Sequence, residues 1–211
     1  MSKYLSVITN FGCHYTCPYC VVKENNLHIP KTTIGGLRDL RAAIKKNGCD
    51  WVSLSGGGDP LYHYTDNYDW FRVFFNRVPP NVKLELHTSY FLTSADRVRG
   101  YDRVVYHLRD ALNIEGVRRV GNQIIRVVFV VTEDFTPERI DQIVAKVKAN
   151  PDIDELSFRQ MIDSDYRTTH YCEEYLRAGH KKDWWYIEQG DYNLYYCENK
   201  VSTKYEDFKE G

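Results

Sequence analysis

Short apolar runs alternate with amphipathic stretches along this chain, and that alternation predicts an α/β fold. Six runs read as strands: Tyr4–Thr9, Trp51–Ser55, Lys83–Thr88, Arg103–His107, Ile124–Thr132 and Glu155–Gln160. Several are nearly continuous in apolar residues, Val127-Val128-Phe129-Val130-Val131 most clearly, as expected of parallel strands covered on both faces. Between them the period lengthens to that of a helix. Leu37, Leu40 and Ile44 fall on one helical face after Thr33, in a segment that stops near Asn47-Gly48. Thr136-Pro137 supplies an N-cap and a first-turn proline. Ile140, Ile143, Val144 and Val147 then mark one apolar face, which ends before Asn150-Pro151. Six β/α alternations argue for a parallel sheet, either doubly wound or rolled toward a barrel. A closed (β/α)8 barrel usually takes about 250 residues, and 211 is short for one.

Beyond about Cys172 the alternation breaks. Trp184–Ile187 and Tyr192–Cys197, with Gly190 in the loop between them, read as a β-hairpin that covers the open end of the sheet or pairs on its edge. The expected organisation is a core of residues 1–168 and a C-terminal extension of residues 169–211 packed on it, a single domain overall.

Charge and cysteine usage narrow the class. A net charge of −1 gives no global basic field to draw the chain to nucleic acid or anionic lipid, which leaves room only for a local basic patch. Six cysteines, three of them clustered, do not resemble a secreted disulfide framework. Met1-Ser2-Lys3-Tyr4 leads directly into strand-like sequence without a signal peptide. No run approaches the roughly 20 apolar residues of a membrane helix. The expectation is a cytoplasmic protein with no membrane partner.

The chemistry is concentrated in Cys13-His14-Tyr15-Thr16-Cys17-Pro18-Tyr19-Cys20, a C-x3-C-x2-C spacing just after the first strand. Three thiolates on one loop can hold three irons of a cubane cluster and leave the fourth iron open, whereas clusters that only carry electrons normally have four protein ligands. The alternative is a zinc loop completed by His14, His28 or Cys49, although no second paired-ligand unit follows. The second strand runs into Gly56-Gly57-Gly58-Asp59-Pro60. Glycines there can bring bare backbone to a ligand, Asp59 offers a carboxylate, and Pro60 stiffens the exit. Read alone, this motif is a plain glycine-rich turn.

Together the two motifs resemble the radical S-adenosylmethionine (radical SAM) superfamily. That family carries C-x3-C-x-aromatic-C after its first strand and a GGE-P or GGD-P motif after its second. Tyr19 stands at the aromatic position, and Gly57-Gly58-Asp59-Pro60 matches the aspartate form with Gly56 as one extra glycine. The resemblance implies a partial (β/α)6 TIM-like barrel of parallel strands, here with a short C-terminal β-hairpin extension. It implies one [4Fe-4S] cluster on Cys13, Cys17 and Cys20, with S-adenosyl-L-methionine chelating the open iron. Tyr19 would lie near the adenine, the backbone of Gly57 and Gly58 near the methionine moiety, and Asp59 on its ammonium. Other strand ends carry softer candidates. Thr88 and Ser89 could face ribose or carboxylate, or form a hydrogen-bonded helix entry. Thr132 and Arg159 could contact cofactor or substrate, Arg159 also being suited to an internal salt bridge. His107 reads as structural more readily than functional, and Arg126 as a surface pair. Cys49, Cys172 and Cys197 read as free buried thiols, which leaves one cluster.

The function expected is reductive cleavage of S-adenosylmethionine to a 5′-deoxyadenosyl radical that takes hydrogen from a small molecule, a nucleoside or nucleotide among the options. An electron donor such as flavodoxin or ferredoxin is implied. One alternative is an activating enzyme that installs a glycyl radical on a partner protein, although Val21-Val22 stands where many of those carry a polar residue. The other is a non-enzymatic zinc-binding module.

Overall fold

The computed structural model describes residues 3–24, 28–92, 94–163, 165, 167–179, 182–187 and 193–209. Nine strands form one sheet: β1 (Tyr4–Val7), β2 (Trp51–Leu54), β3 (Lys83–Thr88), β4 (Arg103–His107), β5 (Ile124–Val131), β6 (Glu155–Gln160), β7 (Trp185–Ile187), β8 (Asn193–Cys197) and β9 (Lys200–Ser202). Their spatial order is β7-β6-β5-β4-β3-β2-β1-β8-β9. Strands β1 to β6 pair parallel in chain order, β7 adds parallel to β6, and β8 adds parallel to β1. The edges β7 and β9 do not meet, so the sheet is open, as expected of a partial barrel.

The hairpin expected in the tail forms between different strands. Trp185–Ile187 and Asn193–Cys197 end on opposite sides of the sheet, because each finds an unpaired parallel edge, β6 for one and β1 for the other. Residues 188–192, including the expected loop glycine Gly190, lie outside the described residues. The observed hairpin joins β8 to β9 antiparallel through Glu198 and Asn199. Both turn residues take left-handed φ, 48° and 63°, as a two-residue turn matched to strand twist requires.

Among the described residues six α-helices accompany the strands: α1 (Val21–Glu24), α2 (Leu40–Asn47), α3 (Tyr68–Arg77), α4 (Ala95–Val98), α5 (Pro137–Ala149) and α6 (Glu173–Gly179). Thr136 caps α5 by accepting from the Arg139 amide, and Gly48 ends α2 in the left-handed conformation. The apolar residues of α2, α3 and α5 pack with Leu5, Val52, Leu86, Tyr106, Phe129 and Phe158 on one face of the sheet. The opposite pleat carries Ser6, Ser53, Glu85, His87, Arg103, His107, Arg126, Glu155, Ser157 and Arg159. Thus the strands are not apolar on both faces. Helices cover one side, and the inner face of the partial barrel is polar.

Phe158 anchors the helix side: it is fully buried and meets Trp184 edge-on at 5.7 Å between ring centroids. We expect Phe158→Ala to cost about 3–5 kcal/mol in denaturant unfolding; a loss under about 1 kcal/mol would place the packing centre elsewhere.

Candidate active site

The cysteine loop leaves the carboxyl end of β1 and is held by the loop that leaves β2. The Asp59 amide donates to the Gly12 carbonyl at 2.8 Å. A Cβ on Gly58 would stand 2.2 Å from that same carbonyl oxygen, and one on Gly57 only 2.6 Å from the Asn10 Cβ. The missing side chains at Gly57 and Gly58 are thus needed by the neighbouring loop, which approaches backbone to backbone. Tyr205, from the C-terminal 3-10 turn (Tyr205–Phe208), closes the other side, its hydroxyl 3.0 Å from where a Gly56 Cβ would be. No motif in the sequence marked that tyrosine.

Asp59 is 3% exposed, and its carboxylate joins the loop after β2 to the end of β3. One oxygen accepts from the Leu61 amide at 2.9 Å and the Thr88 hydroxyl at 2.8 Å. The other accepts from the Ser89 amide at 2.7 Å. Thr88 is buried with Asp59, whereas Ser89 reaches open space. Pro60 is buried at the start of the exit turn.

That open space is a cavity of about 680 Å³ beyond the carboxyl ends of β3 to β6. Tyr15, Pro18 and Tyr19 of the cysteine loop form one wall. Ser89, His107, Val130, Thr132 and Met161 contribute from four successive strand ends. Arg109 lies over the Tyr15 ring at 5.3 Å, and Arg139 pairs with Asp134 at the rim. Burial and the adjacent Cys17 sulfur push the Tyr19 phenol above its ordinary range. Arg159 lies one ladder step away, opposite Val130, and no ion pair to it forms among the described residues.

Cys13, Cys17 and Cys20 are half-buried and free. Burial raises the Cys13 thiol most, and the negative charges of Asp59, Cys17 and Cys20 raise it further against a hydrogen bond from the Tyr15 backbone. Three sulfurs that feel one another's charge form a donor set suited to a cationic group between them. Among the described residues no three His, Cys, Asp or Glu side chains converge on a single ion. Cys49 precedes β2 and so lies at the amino end of the sheet, away from the loop. The His14 ring stacks on Tyr90 at 4.8 Å. Cys172 donates to the Phe135 carbonyl, and Cys197 is buried against Thr32 and Pro30. Cys172 is half-buried rather than buried.

Below the cavity a line of charged and polar groups crosses the inner face. His107 Nε2 lies 3.0 Å from His87 Nδ1, and His87 Nε2 lies 2.7 Å from Glu85. Arg103 donates to Glu85 at 2.8 Å and approaches Glu155 at 3.4 Å, where Arg126 also binds at 2.6 Å. Arg126 is therefore an inner-face partner rather than a surface one. Burial alone would raise the Glu85 carboxyl, but His87 and Arg103 win and hold it at about 2. Burial, then the positive charges of His87 and Arg159, hold His107 at about 3. The sequence contained a signal for this line: Glu85 and His87 alternate with Leu84 and Leu86 along β3.

No family model matches the chain, and no curated protein sequence does. Among solved structures, Streptococcus suis SuiB bound to S-adenosylmethionine is similar at a TM-score of 0.56 and 19% identity, over 90% of this chain and 48% of SuiB. SuiB bound to the precursor peptide SuiA gives 0.60 at 19% identity, over 90% and 49%. The chain shares the fold of these structures. It spans about half the length of SuiB.

We expect Asp59→Ala to destabilise the fold by about 3 kcal/mol, because two buried donors and one at the cavity edge lose their acceptor. Urea unfolding checks this, and a loss below about 1 kcal/mol would show that the carboxylate does not hold the strand ends together. His107 makes a separate pH prediction. Its folded value lies below the unfolded one near 6.5, so the unfolded state binds the extra proton between pH 6.5 and 3. Stability therefore falls as pH drops from 6.5, by at most about 1.4 kcal/mol per pH unit for one group. His107→Phe should flatten the unfolding profile between pH 6.5 and 5, above the range where carboxylates dominate. An unchanged slope would count against a buried neutral His107.

Proposed function

We propose that this protein is a radical SAM enzyme acting on a small molecule held in the cavity beyond β3 to β6. One observation carries the reading: the three-cysteine loop is itself a wall of that cavity, through Tyr15, Pro18 and Tyr19. Cys13, Cys17 and Cys20 would hold one [4Fe-4S] cluster. With S-adenosylmethionine at its open iron, that cluster supplies a reducing electron and a 5′-deoxyadenosyl radical able to take a hydrogen atom.

The chain's own residues would position the reactants and exclude water. Tyr19 and Thr132 would flank the cofactor, with Arg159 below them. Gly57, Gly58 and Pro60 would keep the cysteine loop in register with the loop after β2. Asp59, holding Thr88 and Ser89, would fix the rim. An ammonium contact to Asp59 would then share oxygens that already accept from three protein donors. The electron would come from a flavodoxin- or ferredoxin-type donor. No described helix is long and apolar enough to cross a membrane.

A peptide substrate is the second reading, prompted by the SuiB structure that holds a precursor peptide. Exposed Arg109 and Asp110 border the cavity, which suits a chain segment entering from solvent.

Anaerobic reconstitution with iron and sulfide, followed by dithionite and S-adenosylmethionine, should yield 5′-deoxyadenosine. Cys17→Ala should lose both the cluster absorbance and the product. Normal product formation by that variant would overturn the assignment, and bound zinc without cluster absorbance in the wild type would favour the binding-module reading.

A further inference from the structure

The line of groups beneath the cavity has a defined hydrogen polarity. Glu85 is ion-paired to Arg103 and, as a carboxylate, can only accept, so His87 Nε2 carries a hydrogen toward it. A neutral His87 then presents a bare Nδ1, which accepts the hydrogen on His107 Nε2. His107 Nδ1 is left with a lone pair, and no described residue hydrogen-bonds to it. His107 also lines the cavity. Across the ladder, Arg159 stands opposite the cavity-lining Val130, on the same face as His107. It is close enough to His107 to depress that ring's proton affinity, and it has no carboxylate partner among the described residues.

We infer that His107, His87 and Glu85 form a proton-accepting relay that opens on the cavity, and that the molecule bound there presents an ionisable O–H or N–H whose anion Arg159 takes. The step is a proton transfer and needs no redox partner. The bound group gives its hydrogen to His107 Nδ1 and keeps the electron pair as an anion beside Arg159. The hydrogen on His107 Nε2 passes to His87 Nδ1. His107 ends neutral in the opposite tautomer, and His87 ends as an imidazolium against the Glu85 carboxylate. Burial and the charges of His87 and Arg159 keep a second proton off His107, so the added charge settles on His87. The charged groups facing the pair are Glu85 on β3 and Arg159 on β6, with Arg103 on β4 reaching it through Glu85. His87 and Glu85 are positioning residues in this scheme, acting through His107.

This deepens the proposed function, since it describes what the same cavity binds. Its test uses neither iron nor 5′-deoxyadenosine, so the two can fail separately. In 15N-histidine-labelled full chain, the imidazole nitrogens report each tautomer directly. At pH 8 His107 should carry its hydrogen on Nε2. Inorganic phosphate added at about pH 6.5, where the monoanion with its acidic O–H predominates, should shift His107 to the Nδ1–H form and His87 to the cation relative to the phosphate-free protein at that pH. Arg159→Met, at a half-exposed position, should weaken that response about tenfold through loss of a charge-assisted contact. Glu85→Gln should abolish the His87 cation. Should that buried variant fail to fold, the wild-type tautomers and Arg159→Met still decide. The inference is overturned if His107 holds its hydrogen on Nδ1 in the resting protein, or titrates as an ordinary imidazole. It is also overturned if phosphate leaves His107 unmoved up to its solubility, or moves it equally in Arg159→Met as an adventitious ion would.

Discussion

The closest approach of backbone to a glycine among the described residues is the contact between the loops after β1 and β2. The Gly12 carbonyl lies where a Gly58 side chain would begin and accepts the Asp59 amide. No other residue type fits there without moving one loop off the other. Because the Asp59 carboxylate also grips Thr88 and Ser89, the ends of β1, β2 and β3 move as one body. The cysteines inherit their placement from that body. So does Tyr19, the aromatic wall between loop and cavity.

The polar inner face follows from the open barrel. In a closed eight-stranded barrel the inward residues fill the centre with branched apolar side chains. Here eight parallel strands form an open sheet whose inner pleat mixes buried apolar residues such as Val105 and Val128 with charged ones. Glu85, Arg103, Glu155 and Arg126 pair with one another in a ladder perpendicular to the strands. Such a set is costly to break, since removing one member leaves a buried charge without its partner. The ladder leads away from the cysteine loop, so the three thiols and the charged ladder occupy different walls of one space.

Much of the fold was legible because buried parallel strands are short, apolar and bounded by polar turns. The bounds of β3, β4 and β6 agree residue for residue with expectation, while β1, β2 and β5 stop one or two residues sooner as the chain turns into functional loops. Helix α5 was legible from its cap and its four apolar positions. Helix α3 was not read, although Trp70, Phe71 and Phe74 share one face. The tail was misread because nearness in sequence suggested a hairpin, whereas two open parallel edges captured its strands separately. At the site, the cysteine spacing was legible from sequence alone. The roles of Glu85 and Tyr205 were not, because each depends on a partner distant in the chain.

The pairing of β8 with β1 also bears on how the molecule is made. Tyr4 lies opposite Asn193, so β1 gains its second neighbour only from a strand far along the chain. Contacts of such separation carry a large loop-closure cost and slow folding. Until β8 arrives, the β1 edge is an unpaired template beside the cysteine loop, able to recruit a strand from another nascent chain. Folding yield should therefore be limited by the pairing of the tail with β1 rather than by the loops that carry the cysteine and glycine motifs.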